Sequence, residues 1–398
     1  MKRSLQLIFC LVVVLTMVTV CSAKDVMKIG VLQAFTGPIE SLTPPMAKAA
    51  DYAIQEVMDS NAFLDGTAIE SVRADSTCID AAAATAAAER LVTVEKVAAI
   101  MGPSCSGTSA AVATKVSATN GIPTISSSAT SAALSEVEDN GYFYRTAPSD
   151  ARQGQVLAKI TIEKGIKEVA ITYTNNDYGK GLSESFGTAF KQAGGKILMI
   201  SSHEDGKADY SAEVASLAAS GAEYLVIFGF IDQGGKGIIQ ASLDSGAFDQ
   251  FIFTDGMIGP ALTEHFGSAL NGSYGTMPGG ESEATQKWKT IATAADIPID
   301  GPFRGSSYDA TAIIIFAAQA GKSIERASIQ AHIMAVANAP GEKIYAGDLK
   351  KGLELLAQGK DIDYVGAENI EFNEIGEVLG TYQEMEIIKG EFVSVAFH

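Results

Sequence analysis

The sequence predicts an α/β protein made of two doubly wound parallel-sheet lobes. Three observations carry that class. Short β-rich runs alternate with Ala-rich helical stretches along most of the chain. The β runs are mostly continuous apolar stretches instead of alternating ones, as expected of strands covered on both faces. They also fall into two series, split by the polar loop "SEVEDNGYFYRTAPSDARQG" at 135–154.

The first series reads "MKIGVLQ" (27–33), "AIESVRAD" (68–75), "VAAIMGP" (97–103) and "PTISS" (123–127). The second reads "EVAITYTN" (168–175), "KILMISS" (196–202), "YLVIFGF" (224–230) and "FIFTDG" (251–256). Between them lie helical patterns such as 81–95 and 178–194. Strand–helix alternation implies parallel pairing through right-handed crossovers. The C-terminal third is more helical, notably at 306–322, and closes with a hairpin at 381–398.

The first residues, "MKRSLQLIFCLVVVLTMVTVCSA", read as a secretory signal peptide, residues 1–23. The apolar run is too short to favour a retained span. Cys21 invites a lipoprotein reading, but Val20 precedes it where that processing needs a small residue, so cleavage after Ala23 is expected. The mature chain keeps 375 of 398 residues, more than one ordinary core, which suggests two domains. Loss of Lys2 and Arg3 takes the net charge from −18 to −20. That argues against nucleic acid and anionic lipid as partners. Of four cysteines, Cys78 and Cys105 survive cleavage. Two thiols in an oxidising compartment read as one disulfide, the alternative being two buried free thiols.

In open parallel sheets, ligands sit beyond the carboxyl ends of the strands. The third strand delivers Ser104, Ser106 and Thr108; the fourth delivers Ser128, Ala129 and Thr130. "SGT" at 106–108 opens a helix, whose free N–H groups suit a carboxylate; simple N-capping explains such hydroxyls equally well. In the second series, Tyr178 and Asp255 follow strand ends. A lone Asp before Gly is often a turn residue, yet a hydroxyl cradle in one lobe facing a carboxylate in the other suits a zwitterion.

Enzyme readings find little support. His203, His265, His332 and His398 lack ligand-like spacing, and no metal or cofactor is expected. "GFIDQGGKG" (229–237) lacks the order of a phosphate loop, and no G-x-S-x-G elbow occurs.

At these residues the sequence resembles periplasmic substrate-binding proteins of branched-chain amino acid (Leu/Ile/Val-type) ABC transporters. The likeness rests on the order of "GPIESL", "DSTCID", "GPSCSGTS", "TISSSATS", "YFYRTAPSDARQG", "NNDYGKGL", "DYSAEVASL" and "FTDG" across the mature chain. It implies a type I periplasmic-binding-protein-like fold with a three-crossover hinge near 148, 278 and 380. Lobe 1 would be 24–148 plus 279–380, and lobe 2 would be 149–278 plus 381–398. It also implies a Cys78–Cys105 disulfide, carboxylate binding by Ser106 and Thr130, a Ser128 carbonyl for the ammonium, Tyr178 in the cleft, and Asp255 as the ammonium's acid.

Against that pattern, Leu42 and Ile231 stand where aromatics are expected, Phe303 stays aromatic, and Arg304 beside it reads as a solvated surface residue or a partner for a second ligand carboxylate. Asp255 is one methylene shorter than the usual Glu. The resemblance implies a monomeric, non-enzymatic periplasmic protein that delivers a small amino acid to an inner-membrane permease. Alternatives are an amide, urea-like or aromatic carboxylate solute, or a sensor subunit serving a receptor.

Overall fold

The computed structural model describes residues 26–398; the expected signal peptide lies outside them. The strands are β1 (Val26–Gln33), β2 (Ala68–Asp75), β3 (Ala99–Met101), β4 (Thr124–Ser126), β5 (Phe143–Arg145), β6 (Glu168–Thr174), β7 (Lys196–His203), β8 (Tyr224–Phe228), β9 (Gln250–Phe253), β10 (Tyr274–Pro278), β11 (Glu342–Tyr345), β12 (Ile362–Gly366), β13 (Tyr382–Ile388) and β14 (Glu391–Phe397). One sheet runs β2-β1-β3-β4-β5, all parallel. The other runs β14-β13-β10-β9-β8-β6-β7, parallel except for the antiparallel β13 and β14. A small parallel pair, β11-β12, stands apart.

The strands β7-β6-β8-β9-β10 repeat the order of β2-β1-β3-β4-β5. Each sheet therefore changes direction beside its first strand, between β1 and β3 and again between β6 and β8. Ligands of open α/β sheets bind outside the strand ends at such switch points. The two lobes bring these ends together.

The loop expected at 135–154 is more structured than its polar composition suggests. It holds a 3-10 turn at Ala132–Glu136, the short strand β5, and the start of the helix Asp150–Glu163. β5 is three buried residues, too short to show a period, and pairs with β4. β10 also escaped the sequence reading, since Gly275 and Pro278 break its apolar run. A Cβ at Gly275 would lie 2.5 Å from the Phe253 carbonyl oxygen, so close approach to β9 needs glycine.

The first core packs β1 and β3 against the helices Thr43–Ser60 and Arg304–Ala320. The latter is buried on all sides through Gln319, which explains its run of Ile313, Ile314, Ile315 and Phe316. The second core is built on Val169, Ile171, Leu225, Ile227, Phe251 and Phe253. Ile39, Leu42 and Cys105 from the first lobe pack continuously with it across the cleft. Polar contacts also join the lobes: Ser41 N–H donates to Asp232 Oδ2 at 2.8 Å, and Asp232 N–H donates to the Pro38 carbonyl at 3.0 Å.

The chain passes between sheets after β5, after β10 and before β13. These passages meet. Tyr382 Oη donates to the Ser149 carbonyl at 3.0 Å, and Gly279 N–H donates to the Thr381 carbonyl at 3.0 Å.

Candidate functional site

Most hydroxyls in the two small-residue clusters are spent on the backbone. Ser104 Oγ donates to Gln33 Oε1 at 2.5 Å and accepts from Ala34 N–H at 3.1 Å. Thr108 donates to the Cys105 carbonyl, while Ser109 and Ser126 both donate to the Pro103 carbonyl. These bonds shape the loops after β3 and β4. Ser106, Ser128 and Thr130 are the hydroxyl residues the sequence singles out for a ligand. Ser106 Oγ accepts from Ser131 N–H at 3.1 Å, which leaves its proton free to donate. Ser128 lines the cleft cavity and donates to the Ser104 carbonyl at 3.0 Å. Thr130 Oγ1 is buried with no hydrogen-bond partner.

The disulfide Cys78–Cys105 forms, tying the loop after β2 to the residue before Ser106. Closing this loop, with a sequence separation of 27, contributes about 3–4 kcal/mol on the chain-entropy model. It fixes the start of the helix that carries Ser106.

A small enclosed cavity of about 30 Å³ lies between the lobes. Its walls include Ile39, Leu42, Met46, Phe230 and Phe303, with Ser106, Ser128, Tyr178 and Asp255 as polar groups. Of the sequence-derived candidates, Ser106, Ser128, Tyr178, Asp255, Leu42 and Phe303 converge here. Ala129 and Thr130 are not among the lining residues; the Ala129 side chain packs with Ala113, Leu134 and Phe143. Ile231 does not line the cavity either; its neighbour Phe230 does, stacked on Tyr178 with ring centroids 5.1 Å apart. The aromatic missing at Ile231 is thus supplied one residue earlier. A wider concavity of about 730 Å³ lies on the outside of the second lobe, near Tyr210, Lys236 and His265.

Arg304 corrects the sequence reading. It is not a solvated surface residue but only 3% exposed, folded back over Gly301 at the start of its helix. Nη1 donates to the Pro302 carbonyl at 3.1 Å, Nε has no partner, and burial pulls its pKa down to about 10. It is not among the residues lining the cavity.

Asp255 is 2% exposed in a 3-10 turn after β9. Tyr178 Oη accepts from Gly256 N–H at 3.1 Å and lies 3.4 Å from Asp255 Oδ2, to which it donates. The other oxygen, Oδ1, is unpartnered. Burial raises the Asp255 carboxyl to about 6, against the lowering pull of hydrogen bonds.

A second acid, not singled out in the sequence, lies beside it. Asp150 is fully buried at the first position of the helix Asp150–Glu163, and its N–H donates to the Thr130 carbonyl at 2.8 Å. Neither of its carboxylate oxygens has a partner. Burial first, then the nearby Asp255, raises its pKa well above the ordinary carboxylate value. In sequence, an Asp after a Ser cap is indistinguishable from a helix-dipole acid. Arg145 was missed as well. Its Nη1 donates to the Ser131 carbonyl at 2.8 Å and the Ala129 carbonyl at 3.4 Å, which brackets Thr130. Nε and Nη2 both donate to Glu377 Oε1, at 2.9 and 2.6 Å.

Two matched α/β lobes, their switch points facing across a closed cavity, define a solute-binding protein. The Periplasmic binding protein family model matches residues 26–343, and the chain belongs to that family, which is one of binding proteins and not of enzymes. A Leucine-, isoleucine-, valine-, threonine-, and alanine-binding protein of Pseudomonas aeruginosa is 27% identical over 64% of this chain and 67% of its own length. A leucine-binding protein of Thermotoga maritima superposes with TM-score 0.77 at 22% identity, covering 93% of this chain and 98% of that one. An ABC transporter solute-binding protein of R. palustris, in complex with 4-hydroxybenzoate, gives TM-score 0.75 at 18% identity, covering 94% and 97%.

Proposed function

We propose that this chain captures a small apolar α-amino acid between its lobes and delivers it to an ABC permease. One arrangement carries the reading: a buried carboxylate, Asp255, and the hydroxyls of Ser106 and Ser128 border one cavity whose remaining walls are largely apolar. The ligand's carboxylate meets Ser106 and Thr130. Its ammonium meets the Ser128 carbonyl and Asp255, and Tyr178 orients that acid. Leu42, Phe230 and Phe303 receive the side chain.

Binding begins on the lobe of Ser106 and Thr130, expected to be residues 24–148 plus 279–380. The second lobe then closes about the crossings near 148, 278 and 380. Only a ligand that engages both lobes favours the closed state. The P. aeruginosa relative's amino acids support the reading. The chain acts as a monomer in the periplasm after removal of residues 1–23.

A second reading, an aromatic carboxylate, draws on the rings of Tyr178, Phe230 and Phe303 in the wall and on the 4-hydroxybenzoate bound by the R. palustris protein. An unneutralised Asp255 counts against it. A thermal-shift screen of the mature chain with amino acids and benzoates separates them. A ligand at 100 times its Kd stabilises by about 2.7 kcal/mol. Stabilisation by amino acids alone supports the first reading; stabilisation by benzoates alone replaces it with the second.

A further inference from the structure

The turn after β1 reaches across the cleft and is held from the other side by one residue. Ser41 N–H donates to Asp232 Oδ2 at 2.8 Å, and Asp232 N–H donates to the Pro38 carbonyl at 3.0 Å. These two bonds bracket Ile39 and end just before Leu42, both of which wall the cavity. Leu42 also sits directly on the second lobe. A Cβ added to Gly259 would lie 2.8 Å from Leu42 Cδ2 and 3.3 Å from Ile231 Cδ1.

The turn is fixed by its own lobe as well. Glu40 N–H donates to the Gly37 carbonyl at 3.3 Å, Leu42 N–H to the Ile39 carbonyl at 3.0 Å, and Thr43 Oγ1 to the Ala34 carbonyl at 2.9 Å. A proline opens the helix Thr43–Ser60 that follows. A segment already ordered loses little freedom on docking, so more of each new contact counts towards closure.

A different hydrogen bond between the lobes, from Ser131 Oγ to the Asp177 carbonyl at 3.2 Å, is coupled to the ligand hydroxyls, because Ser131 N–H is tied to Ser106 Oγ. The Asp232 contacts are not coupled in that way, since Pro38, Ser41 and Asp232 do not line the cavity. Burial disfavours the charged form of Asp232, and the Ser41 N–H and the Lys236 ammonium oppose that, against the like charge of Glu40.

We propose that Asp232 is a latch that populates the closed arrangement before any solute arrives and so raises the affinity for every solute by one factor. It is a positioning residue, holding Ile39 and Leu42 in the cavity wall without touching the solute. Overall affinity includes the free energy of closing, so contacts made only between the lobes act on all solutes alike. The inference concerns closure and stands whichever solute the cleft takes.

The test is a pulsed spin-label distance measurement on the mature chain, labelled at Glu89→Cys in the first lobe and Gln192→Cys in the second, both exposed positions. Cys78–Cys105 stays oxidised. Without solute, the background protein with native Asp232 is expected to show a population at the separation these positions have in the closed structure. Asp232→Ala is expected to lower that population about tenfold relative to the open one, because closing then leaves Ser41 N–H without an acceptor. Asp232→Asn keeps an oxygen for that N–H and is expected to stay within about threefold of native. Calorimetry then titrates L-leucine, L-alanine and 4-hydroxybenzoate. Each one that binds the native protein is expected to bind Asp232→Ala about tenfold more weakly, with the ratios between solutes unchanged.

An absent closed population, or the same population in native protein and Asp232→Ala, overturns the proposal. So does a loss of affinity confined to some of the solutes, which would make Asp232 a specificity residue. Ligand-free Asp232→Ala is expected to melt within about 2 °C of native; a much lower midpoint also overturns the proposal, since the residue would then serve the fold. Failure of the native protein to bind all three solutes counts against the functional reading alone, and the ligand-free distances still decide the latch.

Discussion

Replacing Arg145 by Met tests how the ligand loop is held. The side chain is completely buried and clamps Glu377, itself 9% exposed, through two bonds to one carboxylate oxygen. Breaking a buried pair by removing one partner costs about 3–5 kcal/mol, because the remaining charge is left without compensation. Arg145→Met is therefore expected to lose about that much. The double variant Arg145→Met/Glu377→Met removes both charges and is expected to recover the part of the loss due to the uncompensated charge, short of wild type by about 1–3 kcal/mol for the carbonyls left without a donor.

Recovery of stability should not restore binding. The Ala129 and Ser131 carbonyls that bracket Thr130 still lack their donor in the double variant. The single tryptophan, Trp288, lies in the core of the first lobe, so its fluorescence in urea reports the unfolding of that lobe. A thermal-shift series with the amino acid identified by screening reports affinity. A double variant as unstable as the single would refute the charge-pair reasoning. One that binds like wild type would refute the role given to Arg145 in holding the Thr130 loop.

Asp255→Ala should nearly abolish amino-acid binding, and unchanged affinity by calorimetry would withdraw Asp255 from the site. Reducing Cys78–Cys105, or replacing both by Ala, should cost about 3–4 kcal/mol in denaturant titrations, and an unchanged midpoint would contradict the loop-closure estimate. His203 is buried and its pKa is lowered from 6.5 to about 4, chiefly by burial. A lowered histidine favours folding above its unfolded pKa, and that contribution fades as pH falls from 6.5 towards 4, by about 3 kcal/mol in all. His203→Gln should flatten this stretch of the stability–pH curve; an unchanged slope would mean another group causes it. At Gly256 an added Cβ would lie 2.7 Å from the Gly229 carbonyl oxygen and 2.8 Å from Tyr178 Oη. Gly256→Ala should therefore displace the tyrosine and weaken amino-acid binding at least tenfold by calorimetry, about 1.4 kcal/mol.

The two-lobe α/β class follows from the sequence because long strands alternating with helices carry their own signature, most plainly the buried β1 and β6. β1, β2, β6 and β7 lie where their apolar runs placed them, and so does the C-terminal hairpin. The clustered hydroxyls and the acid at 255 are equally plain, since residue type and strand-end position are local facts. Other features depended on partners distant in sequence. β5 and β10 are defined by neighbouring strands, with too few residues or too many breakers to announce themselves.

Nothing local separates Ser104, spent on Gln33, from Ser106, whose proton is free. The difference lies in which backbone groups the fold brings to each hydroxyl. Phe230 reaches the cavity where Ile231 does not, a difference set by the turn that follows β8. Asp150 reads as an ordinary first-turn acid until β5, the Thr130 loop and Asp255 close around it. Sequence determined which chemical groups the chain places at its strand ends. Tertiary structure decided which of them lie buried without partners, because hydrogen-bond satisfaction belongs to the three-dimensional neighbourhood and not to the residue.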